Sequence, residues 1–169
     1  MLSRTLAFAC IVCTASIGTC AVGPVWIVRP DGIGPVRVGM TLTELNSVLH
    51  ESFTMPADKE QQPCFYVNTD RHPGVGFMIQ NRRVVRVDVD GPDTPTVEGV
   101  RVGDSEAKAM RAYGSRLNIE PNYYQPQEKY LTIRSANRRY AIRFETDNGK
   151  IGRFYAGRLS AVLLIEGCS

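Results

Sequence analysis

One short string occurs twice, and it constrains the fold more than any other feature. Val36-Arg37-Val38-Gly39 and Val100-Arg101-Val102-Gly103 lie 64 residues apart, each followed by one residue and then a hydroxyl, Thr41 or Ser105. The physical reading is the same for both. A short extended stretch ends at a glycine that can take positive φ, and a hydroxyl then caps a helix. Thr41 with Glu44 matches the capping box, whereas Ser105 has Lys108 at that position and lacks the reciprocal half.

Both predicted helices are short. Leu42, Leu45, Val48 and Leu49 share one helical face, as do Ala107, Met110 and Tyr113 before Gly114 ends the second run. Helices near ten residues cannot stand alone in water, so each must pack on something. Strands follow in both halves. Cys64–Val67, Val75–Ile79 and Arg83–Val89 read as strands in the first, with a turn at Gln80-Asn81. In the last strand Val85, Val87 and Val89 alternate with Val84, Arg86 and Asp88. Tyr130–Ile133, Arg139–Glu145 and Lys150–Ala156 repeat the plan in the second, around the hairpin signal Asp147-Asn148-Gly149. Asn81–Val89 aligns with Asn148–Ala156, placing Val84 over Ile151 and Arg86 over Arg153. The run from Ala161 to Ile165 reads as a last strand or a buried tail.

The fold class is therefore α+β: two tandem helix-plus-antiparallel-strand repeats forming one sheet-based unit. The first repeat spans 22–93 and the second 94–169, joined through the proline-bearing segment Gly91–Thr96. Each repeat alone is small for an independent core.

Residues 1–21 read as an export signal. Arg4 supplies a thin positive end, an apolar stretch runs from Leu6 to about Ile17, and Thr19 and Ala21 are the small residues of a cleavage site. A periplasmic or secreted location follows. Cys20 offers an alternative, a lipid-anchored outer-membrane assembly or stability factor, although Thr19 is a poor residue before a lipidated cysteine. After cleavage only Cys64 and Cys168 remain, and in an oxidising compartment that pair predicts one disulfide. It would close a loop of roughly 100 residues, worth about 4.7 kcal/mol in the chain-entropy limit.

The string Val38-Gly39-Met40-Thr41 with Glu44-Leu45, followed by strands, resembles the module of the small outer-membrane lipoprotein of the barrel-assembly machinery. The tandem arrangement is similar to the β-lactamase-inhibitory proteins, in which two such units form one concave sheet. The resemblance implies a bacterial envelope protein that binds other proteins. It carries over no binding residue, and Asp104 stands where the first copy has Met40.

With Lys plus Arg at 20 and Asp plus Glu at 17, overall charge does not argue for nucleic acid, and the compartment argues against it. The excess of basic residues falls in the second half. Arg139 and Arg143 share a predicted strand face with Ala141, Arg153 lies on the next strand, and Tyr123 and Tyr124 occupy a loop between Pro121 and Pro126. Arginine with tyrosine is interface composition. These five residues are the expected contacts with another protein or an anionic envelope polymer, with a membrane role only if Cys20 is lipidated. Enzyme inhibition is one form such binding could take.

Neither catalysis nor a cofactor is expected. Asp88, Asp90 and Asp93 gather carboxylates that calcium favours, but the later glutamate of a calcium loop is missing and Pro92 interrupts it, so a solvated acidic turn is expected. His72 beside Asp70 could serve a hydrolase as base, yet no nucleophile sits on a recognisable elbow. His50 is expected at a helix C-terminus, where positive charge is favoured.

Overall fold

The repeated string builds the same joint twice. In the computed structural model, which describes residues 26–57 and 64–168, Gly39 and Gly103 take φ of +100° and +86°. The Gly39 N–H donates to the Val84 carbonyl and the Gly103 N–H to the Ile151 carbonyl, both at 2.8 Å. Val84 N–H returns a bond to Met40, and Ile151 N–H to Asp104, again at 2.8 Å. Each helix start is thereby hung on the first residues of a strand far along the chain.

The elements run β1 (Val28–Arg29), β2 (Gly32–Ile33), β3 (Val36–Arg37), α1 (Leu42–Leu49), β4 (Cys64–Asn68), β5 (Val75–Gln80) and β6 (Arg83–Val89). Then come α2 (Glu106–Tyr113), β7 (Leu117–Pro121), β8 (Lys129–Arg134), β9 (Tyr140–Asp147), β10 (Lys150–Arg158) and α3 (Leu159–Val162). Strands β1 to β3 form a small antiparallel sheet. The other seven form one antiparallel sheet in the order β4-β5-β6-β10-β9-β8-β7, so the last strand of each half pairs with its counterpart at the centre. The α+β class holds, with little helix.

Local chemistry explains the elements. Thr41 accepts from the Glu44 N–H at 3.2 Å while Glu44 accepts from the Thr41 N–H at 2.7 Å, a complete capping box. Ser105 caps α2 from one side only. Asn81-Arg82 and Asn148-Gly149 close hairpins with φ positive at both residues, the geometry that matches strand twist. Leu45 and Leu49 bury one face of α1, and His50 ends it in the left-handed region.

Several expectations are corrected. The α2 face is Ala109 with Tyr113, one turn apart, and Ala107 is exposed. The first turn sits at Asn81-Arg82, one residue later than read. β1, β2 and β7 carried too little apolar pattern to be seen, whereas β3 is the extended stretch read before Gly39. The Gly91–Thr96 segment is knitted into the fold: Val28 N–H donates to the Pro95 carbonyl at 2.9 Å, and the buried Thr96 hydroxyl accepts from Tyr113 at 2.8 Å. Ala161–Ile165 is no strand. It is the end of a helical turn and the start of a tail.

The alternation read in β6 also fails, because a β-bulge breaks the register between Met78/Arg86 and Ile79/Val84. Val84 joins Val87 and Val89 on the helix-covered face, and Val85 turns to the opposite face with Met78. β10 has a register shift at the aligned place, between Ile151 and Arg153. Ile151, Phe154 and Ala156 therefore enter the main core with Phe77, Phe144, Leu45 and Tyr113. No helix among the described residues is long and apolar enough to cross a membrane.

Candidate functional site

The bulges deliver polar side chains to the sheet face opposite α1 and α2. On β6, Arg86 makes a two-pronged contact with Asp88, at 2.7 and 2.8 Å. The same guanidinium donates to Tyr66 at 2.6 Å and to the Ala161 carbonyl at 3.0 Å, and lies 4.3 Å from the centre of the Tyr155 ring. A buried charge with every guanidinium nitrogen engaged is tolerable, whereas the same charge unpaired is not. Burial pushes the Asp88 carboxyl above its usual range, and the bonds from Arg86 offset that only in part.

The second half builds a related arrangement with different partners. Arg143 lies 4.5 Å from the centre of the Tyr130 ring and donates to Thr132 at 3.0 Å and Glu120 at 3.1 Å. Tyr155 donates to Glu145 at 2.9 Å. Burial, then the Glu145 charge, holds the Tyr155 phenol well above its usual range. Arg153 pairs with Asp90 at 3.2 Å near the surface.

The C-terminal tail crosses this face. Ala161 and Val162 of α3 pack on Val85 and Ala141. Beyond them, Glu166 accepts from the Tyr124 hydroxyl, and Gly167, at φ +68°, sits so close to Tyr66 that an added Cβ would lie 2.3 Å from the phenol oxygen. Cys168 then closes a disulfide with Cys64. The tail divides the face into clefts of about 510, 340 and 620 Å³, and Ile165 borders all three.

The residues expected from sequence fall into three groups. Tyr123 and Tyr124 are 69% and 60% exposed and meet edge to face at 5.1 Å. Arg153 is on the same face and exposed. Arg143 is on the face but buried, its charge committed internally. Arg139 is not brought to it. It precedes β9, beside Leu159 and Ser160, and Ala141, which separates it from Arg143, is covered by Val162. Cys20 and the export signal lie outside the described residues. Arg86 and Tyr66 were missed, although the alignment of Arg86 with Arg153 was a usable signal.

Two other expectations change. Asp88 is no solvated turn carboxylate, being buried against Arg86, while Asp90 pairs with Arg153. Among the described residues no three carboxylate, histidine or cysteine side chains gather as a metal site. The His72 ring stacks on Trp26 at 3.4 Å, and desolvation lowers its pKa. No hydrogen bond joins it to the exposed Asp70 among the described residues.

Every arginine held in this network has its own carboxylate: Arg86 with Asp88, Arg143 with Glu120, Arg153 with Asp90. That pairing stiffens the face and removes most of its pull on a polyanion. Searches of protein-family models, curated proteins and solved structures returned no match to the chain.

Proposed function

We propose that the chain is an exported bacterial envelope protein that binds another protein through the tail-crossed sheet face, in the manner of an enzyme inhibitor. The observation that carries this reading is the rigid, charge-paired arginine–tyrosine network flanked by the exposed pair Tyr123 and Tyr124. Tyrosine and arginine dominate binding hot spots, and a contact surface that is already ordered loses little entropy on association. The Cys64–Cys168 bond supports an oxidising compartment. The matched glycine joints and aligned bulges support two diverged copies of one unit, 22–93 and 94–169.

The test is affinity capture from envelope extract with the oxidised protein as bait. The identified partner is then titrated against the native chain and a Tyr123→Ala/Tyr124→Ala variant. Both side chains are exposed, so the variant should melt within a few degrees of the native protein while affinity falls about tenfold or more. Unchanged affinity removes the assignment.

A further inference from the structure

The largest cleft on the face differs from the other two in chemistry. It is about 620 Å³ and lies between the Tyr123–Pro126 loop and the tail. Its walls are Pro121, Tyr123 and Pro126 on one side and Leu163 and Ile165 on the other. Tyr123 and Ile165 are both substantially exposed there, at 69% and 43%. Apolar walls with a few convergent polar groups are the usual makeup of a binding groove. Its two cations are not equivalent. Arg143 is satisfied by Thr132 and Glu120, whereas Arg134 is exposed and makes no ion pair or side-chain hydrogen bond among the described residues. The groove therefore presents an apolar slot beside one uncommitted positive charge. The neighbouring cleft differs, because Glu145 and Asp147 line it and its one cation, Arg153, is already paired with Asp90.

Resting on the protein-binding reading above, we infer that this groove receives an extended segment of the partner that carries one apolar side chain and, within two positions of it, an aspartate or glutamate. The apolar group fills the slot between Tyr123 and Ile165, and the carboxylate meets Arg134. The volume suits one to three side chains and lies within the range of about 300–1,000 Å³ of built ligand sites. The protein's own tail cannot be the occupant, since Cys168 ties it down as one wall.

A phage-displayed library of random linear peptides, panned against the oxidised full chain, tests this. The enriched peptide is then synthesised and titrated against the native protein, Arg134→Glu and Tyr123→Ala, with melting curves confirming the fold. The expected consensus pairs an apolar residue with a nearby acidic one. Arg134→Glu should weaken that peptide about tenfold, because attraction becomes repulsion. A peptide with lysine in place of the acid should bind Arg134→Glu better than it binds the native protein. The inference falls if no peptide is enriched, if the consensus lacks the acid, or if Arg134→Glu changes nothing. It also falls if vesicles of anionic phospholipid, and no peptide, bind through Arg134. A captured partner that depends on Tyr123 and Tyr124 yet ignores Arg134→Glu overturns the groove alone and leaves the broader reading standing.

Discussion

Val85 and Gly152 occupy matching bulges in the two halves and meet opposite surroundings. Val85 is buried under Met78 and Ala161, with the disulfide packed alongside. Gly152 is exposed on the rim of an open cleft. The neighbouring arginines follow suit. The Arg86 side chain is 4% exposed and Arg153 is 52% exposed. The helix-covered face, by contrast, is built alike in both halves, with Leu45 and Leu49 answered by Ala109 and Tyr113. One tail, present once, cannot cover two equivalent surfaces. Its helical turn packs on β6, β9 and β10 and its disulfide ties it to β4, which buries Val85 and Arg86 and leaves the rim at Gly152 and Arg153 open.

The sharpest way to break this comparison is to truncate the two arginines in turn. Arg86→Ala strands the buried Asp88 carboxylate and should destabilise by about 3–5 kcal/mol, whereas Arg153→Ala opens only a surface pair and should stay within about 0.5 kcal/mol. Urea unfolding followed by circular dichroism measures both, and equal losses would mean that the halves are covered alike.

A smaller effect is expected at the bulges. Val85→Ala removes buried apolar area and should lose roughly 1–2 kcal/mol, while Gly152→Ala adds a methyl at the cleft rim, 3.3 Å from the Asp147 Cβ, and should cost less than about 1 kcal/mol. The reverse order would show the tail lying elsewhere in solution.

The smallest effect concerns acid. Backbone and side-chain hydrogen bonds from Thr41 hold the Glu44 carboxyl below its usual range. In the second half, bonds from Lys108 and the Arg101 N–H, outweighing burial, do the same for Asp104. A carboxyl whose pKa is lower when folded adds stability above its unfolded pKa and loses it as pH falls through the folded value. The melting temperature should therefore decline on acidification below the ordinary carboxylate range. Glu44→Gln should flatten that decline, and an unaltered slope would remove the capping box as a contributor.

Exposure of the expected residues was legible in the sequence where the signal was local and illegible where it was not. Tyr123 and Tyr124 sit in a proline-bracketed loop, and such loops stay exposed. Arg143 looked equally available because strand parity places it on the right face, but parity says nothing about what lies above. Arg139 has the same parity and is cut off by Val162. The β6 alternation misled because a bulge shifts parity by one residue without leaving a glycine or proline to announce it.

What the chain determines by itself is short in range: the positive-φ glycines Gly39 and Gly103, the Thr41–Glu44 box and the two asparagine hairpins. Each depends on backbone conformations and hydrogen bonds a few residues apart. What only the tertiary structure decided is which face is covered. That depends on Arg86 reaching the Ala161 carbonyl across 75 residues and on Cys64 meeting Cys168 across 104. Such contacts follow from how the tail packs on the finished sheet, and no local periodicity encodes them.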